Sequence, residues 1–187
     1  MKIIQDDLFP TRILLVDNLL EEEYVDSMKK DIIKSSKQKE RVNWQSQPKL
    51  QFEKKYKALV DKVKIVSEKY MQDMSWQVEE YQITDISGVF YVDAKPNDSE
   101  SVASSDIQFY DPRPQTRILV PGVNEHKKEN SSIWFYPAVI NRLLVFPSWL
   151  EHHVPINNSN KNRISISWNI MFKGAIGVSE DFQSAVF

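Results

Sequence analysis

Residues 142–170, RLLVFPSWLEHHVPINNSNKNRISISWNI, hold two strand patterns and, between them, two of the chain's three histidines. In the second pattern a period of two places Arg163, Ser165, Ser167 and Asn169 on one face, and Ile164, Ile166, Trp168 and Ile170 on the other. The apolar face needs a covering layer, for which the N-terminal helices are the candidates, and the polar face meets water or lines a polar cavity. An arginine with a serine two residues on aims an always-charged planar fork and a hydroxyl in one direction, which suits a carboxylate. The competing reading is a solvated strand face. Upstream, FPSWLEHHV (146–154) puts His152 and His153 at the end of an apolar strand. Histidine is the common neutral nitrogen ligand for iron, zinc or copper, and the competing reading is a surface turn. In an extended stretch the two imidazoles point to opposite sides, so only one of them serves as a ligand.

Working outward, residues from 76 onward carry short aromatic and β-branched runs: SGVFYV (87–92), DIQFY (106–110), RILV (117–120), SIWFY (132–136), RLLVF (142–146) and RISISWNI (163–170). Pro, Asn, Asp and Ser clusters separate them, and no helical pattern intervenes, which points to an antiparallel sandwich or barrel rather than βαβ units. The loop EHKKENSS (125–132), with His126, reads as a solvated connection. The first 75 residues have another texture. Thr11–Val16 reads as one strand, followed by a helix that Asp17 or Asn18 caps and that buries Leu20, Tyr24, Met28 and Ile32. A second helix from about Leu50 to Met71 carries Phe52, Tyr56, Leu59, Val63, Val66 and Tyr70 on one face.

Bulk properties narrow the function classes. With 24 basic and 26 acidic side chains the formal charge is −2, so no broad positive field favours nucleic acid. The chain has no cysteine, which removes disulfides and thiolate chemistry and leaves nitrogen and oxygen as metal donors. No run approaches the ~20 apolar residues of a membrane span, and MKIIQDDLFP does not read as a signal peptide; the expected location is cytoplasmic, without a membrane partner.

Phe146-Pro147-Ser148-Trp149-Leu150, then His152, then Arg163-Ile164-Ser165-Ile166-Ser167, resembles the C-terminal motif of iron(II)/2-oxoglutarate oxygenases of the small bacterial and phage type. Asn43-Trp44-Gln45-Ser46, Ser87–Val92 and Phe109–Arg113 add weaker matches, so the resemblance spans roughly residues 40–172 and is dense in the last third. It implies a mainly β fold, a double-stranded β-helix of jelly-roll or cupin-like type, with N-terminal helices bracing one face. The implied domain layout is a strand and helices in 1–75, the β-helix core in 76–175 and a tail in 176–187. The implied cofactors are Fe(II) and 2-oxoglutarate, with His152 as the distal iron ligand, Arg163 binding the far carboxylate and Ser165 assisting it. The implied activity is hydroxylation of an unidentified substrate coupled to 2-oxoglutarate decarboxylation.

The family's first iron ligands, an H-x-D or H-x-H just before the SGVFYV strand, have no counterpart here. No histidine precedes His126, and residues 78–86 read VEEYQITDI, with Asp85 as the nearby carboxylate and Ile83 two positions before it. Either the chain has lost its ligand-bearing segment, or that segment is encoded but absent from this sequence. Three readings follow: an oxygenase, a non-catalytic jelly-roll module binding a dicarboxylate or a protein, and an assembly protein using Trp134, Phe135 and Tyr136 as a contact surface. The helices have a further candidate role as a homodimer surface.

Overall fold

The computed structural model describes residues 11–37, 45–46, 49–74, 86–94, 106–113, 122–157, 162–170, 175–176 and 185–186. Nine strands and two α-helices are present among them: β1 (Leu14–Val16), α1 (Glu22–Lys37), α2 (Lys57–Asp73), β2 (Ile86–Asp93), β3 (Ile107–Tyr110), β4 (Ile133–Tyr136), β5 (Leu143–Pro147), β6 (His152–His153), β7 (Ile164–Ile170), β8 (Ala175–Ile176) and β9 (Ala185–Val186). All pairings are antiparallel, in a four-stranded sheet of order β1-β5-β2-β7, a three-stranded sheet of order β4-β3-β6, and a two-stranded ribbon of β8 and β9. The architecture is mainly β, a jelly-roll-like sandwich with two helices. The run RILV (117–120) lies outside the described residues.

Burial explains the texture of each strand. The central strands β2 and β5 are buried on both faces and read as near-continuous apolar runs, whereas β7, at the sheet edge, alternates half-buried and exposed positions. One apolar cluster joins the helices to the outer face of the large sheet: Val25, Met28, Leu59 and Tyr70 pack with Phe90 and Val145, and the isoleucines of β7 rest against it. Each such side chain removed from water contributes roughly 1.5–3 kcal/mol. A second cluster, including Val89, Tyr91, Phe109, Leu144 and Phe146, fills the space on the inner face toward the small sheet. The expected packing of the apolar face of residues 163–170 on the helices is therefore present.

Two expectations need correcting. The first helix begins at Glu22, and Val25 N–H donates to Glu21 O, so neither Asp17 nor Asn18 caps it. Asp17 instead pairs in a two-pronged fashion with Arg142, at 2.5 and 2.9 Å, and Asn18 sits at φ 53° in the loop. Leu19 and Val25 join Met28 and Ile32 in the buried set, while Leu20 and Tyr24 are only partly buried. The second helix starts at Lys57, after two short 3-10 turns at Leu50–Phe52 and Lys54–Tyr56. The tighter turn rotates Phe52 out of phase, leaving it 81% exposed.

Asn141 fastens the loop before α1 to the turn before β5. At φ 63° it adopts the left-handed conformation that Asn tolerates better than most residues, and its carboxamide accepts from Leu20 N–H and donates to Leu20 O.

Candidate functional site

The register of β2 against β7 decides what faces the space between the sheets. Tyr91 lies opposite Ser165, Val89 opposite Ser167 and Ser87 opposite Asn169, and directly opposed residues of an antiparallel pair share a face. Their side chains line a cavity of about 640 Å³. Phe146 of β5, Ile107 of β3 and His152 of β6 also contribute to its wall, as does Arg163 just before β7.

One end of the cavity is cationic. Arg163 is half-buried, and its Nη1 donates to Pro155 O at 3.1 Å, which ties the guanidinium to the segment after β6. Ser165 follows two residues on, on the same face. Tyr91, opposite Ser165 on β2, is 1% exposed, and its hydroxyl has no hydrogen-bond partner among the described residues. Burial pushes the Tyr91 phenol up to about 12; the Arg163 charge pulls it down and the Asp106 charge pushes it further up. The hydroxyl therefore stays protonated, a donor without an acceptor beside a guanidinium. A buried donor left unmatched costs about 1–3 kcal/mol, and a carboxylate placed here would accept from it. Asp106 is itself 3% exposed, its Oδ1 is unmatched among the described residues, and burial raises its carboxyl above the usual range while a hydrogen bond from the Ala138 backbone opposes that rise.

His152 also faces the cavity. Its Nδ1 lies 2.8 Å from Leu150 O, an acceptor only, so Nδ1 carries the proton and the neutral ring offers Nε2 as its lone-pair nitrogen. Phe146 meets the imidazole edge-on at 4.9 Å between centroids. His153 does not line the cavity; it pairs with Gln108 on β3 and is exposed. His126 is exposed in the loop before β4.

An iron centre of the facial type needs three protein ligands from two histidines and a carboxylate, or from three histidines. The chain holds three histidines, of which His152 alone reaches the cavity, and no carboxylate lines it among the described residues. Among the described residues no three His, Cys, Asp or Glu side chains come together as a metal site. Asp85 lies outside the described residues. The described residues do not fit iron. They do fit an organic carboxylate, which the Arg163 fork, the Ser165 hydroxyl and the unmatched Tyr91 hydroxyl can each meet.

At the other end the cavity is neutral and polar. Ser87 Oγ lies 2.6 Å from Asn169 Oδ1 and 2.9 Å from Ser148 Oγ.

Residues 80–169 match the model of the family described as putative 2OG-Fe(II) oxygenase. That segment, 90 of the 187 residues, is similar to the putative 2OG-Fe(II) oxygenases. The match runs from just before β2 to the penultimate residue of β7 and so includes every cavity residue named above. No curated protein matches the chain. The oxygenase resemblance read from the FPSWL-x-H and RISIS motifs is thus supported over the β-rich half. Of the residues singled out from sequence, Arg163, Ser165 and His152 meet in one cavity, and His126 and His153 stand apart. Tyr91, Ser87 and Ser148 were not singled out; the alternation within SGVFYV already put Ser87 and Tyr91 on one face, but only the strand register brings that face to Arg163.

Proposed function

We propose that this protein binds 2-oxoglutarate or a similar dicarboxylate through the cationic end of the oxygenase-type cavity. The guanidinium of Arg163 takes one carboxylate, Ser165 donates to the same group, and Tyr91 supplies its buried hydroxyl. The observation that carries this reading is the unmatched Tyr91 hydroxyl lying beside Arg163 and opposite Ser165. Each is a donor, and none of the three needs to move a proton at neutral pH. Isothermal titration tests it: 2-oxoglutarate and succinate bind the parent protein and lose at least tenfold in affinity in Arg163→Ala, because a charge-assisted hydrogen bond contributes about 1.5–3 kcal/mol. Equal affinity in the variant would rule the site out.

A second reading is favoured by the family match: hydroxylation of a substrate C–H bond coupled to conversion of 2-oxoglutarate and oxygen to succinate and carbon dioxide. His152 Nε2 would be one ligand of the iron such a reaction uses, and two more ligands beyond those of the described residues are required. Steady succinate release from 2-oxoglutarate, dependent on added Fe(II) and abolished in His152→Ala, would establish this reading over the first.

A further inference from the structure

The neutral end of the cavity has its own built arrangement of donors. Ser87 has one hydroxyl proton and lies 2.6 Å from Asn169 Oδ1, which only accepts; Ser87 therefore donates to Asn169, and Ser148, 2.9 Å away, donates to Ser87. This chain fixes the orientation of the Asn169 carboxamide. With Oδ1 held by Ser87, the amide N–H groups are left for the cavity that Asn169 lines from an exposed position of β7. Ser148, with its proton committed, presents lone pairs to the same space.

Asn169 lies four residues beyond Ser165 on the same face, about 13 Å along the strand. The five-carbon chain of 2-oxoglutarate spans at most about 6 Å. Its ten non-hydrogen atoms, at roughly the 30 Å³ a water-sized group takes in liquid, fill no more than about half of the cavity. A dicarboxylate anchored at Arg163 thus leaves the Asn169 end free.

We infer that Asn169 and Ser148 form a second subsite, which takes the neutral carbonyl of another molecule while the dicarboxylate occupies the Arg163 end. Asn169 N–H donates to the carbonyl oxygen, and Ser148 accepts from an attached N–H where one is present, so amides are the preferred class. Ser87 is a positioning residue that sets the carboxamide. Ile170, the next residue along β7, also lines the cavity and supplies apolar wall beside the polar pair.

The test is a side-chain-resolved NMR titration with two separate probes, N-methylacetamide for the new subsite and succinate for the carboxylate end. N-methylacetamide has five non-hydrogen atoms, so millimolar affinity is the expectation. It should produce saturable shifts in the Asn169 side-chain amide, and succinate should shift Ser165 without displacing it. Asn169→Ala should weaken N-methylacetamide about fivefold, the worth of one hydrogen bond, and leave succinate affinity within about twofold. Should Asn169→Ala unfold, Ser87→Ala, which frees the carboxamide to rotate, is expected to weaken the same probe. Competition between the two probes, no saturable shift, or unaltered probe affinity in the variants overturns the second subsite. The subsite deepens the proposed dicarboxylate reading without depending on it: failure of succinate alone defeats the Arg163 site, and failure of N-methylacetamide alone defeats this one.

Discussion

Tyr91 separates stability from binding at the scale of one atom. Its hydroxyl has no partner among the described residues, so Tyr91→Phe removes a buried donor that makes no hydrogen bond to them. The variant should unfold at the same temperature as the parent or slightly above it, while dicarboxylate affinity falls by about five- to tenfold, measured by calorimetry. Asp106 gives a pH-dependent counterpart. Burial raises its carboxyl above 3.8 in the folded protein, so folding holds its proton more tightly than the unfolded chain does. The contribution to stability is full below the unfolded value and is lost as pH rises through the raised folded one. Asp106→Asn keeps the acceptor for the Ala138 backbone and removes the charge. Its melting temperature should exceed the parent's at pH 7 and converge with it toward pH 3; a variant less stable than the parent at pH 7 contradicts this.

Among elements, the pairing of β2 with β7 holds the site's geometry, and Gly88 opposite Trp168 is its tightest point. A Cβ on Gly88 would lie 2.1 Å from the indole of Trp168 and 2.8 Å from Leu144 O, one of them backbone that cannot yield. The indole covers the strand where glycine leaves it bare. Gly88→Ala should cost about 1–3 kcal/mol in urea unfolding through overpacking. The turn before β5 is the other sensitive point: Asn141→Ala loses both hydrogen bonds to Leu20 and places alanine at φ 63°, for roughly 2–3 kcal/mol. Asn141→Gly should recover only the part due to the backbone angle. These elements also show what could be read in advance. Period two alone separated the two faces of residues 163–170, because an edge strand buried on one side alternates visibly. The approach of Tyr91 to Arg163 was hidden, since period two gives a face but not the register, and the partner strand lies more than seventy residues away in sequence. Asp17 looked like a helix cap because a local rule saw the following glutamates but not Arg142, 125 positions on.

At the scale of the whole molecule, two apolar clusters separated by the large sheet assign separate tasks to its two faces. The outer one joins the helices to the sheet and gives the site a fixed floor; the inner one opens into the cavity. No helix among the described residues is long and apolar enough to cross a membrane. The histidine count was legible from the start: of the chain's three histidines, His152 is the one that reaches the cavity. A ligand at a hundredfold its dissociation constant should stabilise the protein by about 2.7 kcal/mol, so succinate and 2-oxoglutarate should both raise the melting temperature, and to similar extents. The similarity follows because the carboxylate that Arg163, Ser165 and Tyr91 would meet is common to both molecules. The most direct test is therefore calorimetric titration of 2-oxoglutarate under anaerobic conditions, once with a chelator and once with stoichiometric Fe(II). Carboxylate recognition by Arg163, Ser165 and Tyr91 predicts the same dissociation constant in both, within about twofold; binding that appears only with Fe(II), or tightens more than tenfold with it, would contradict the account.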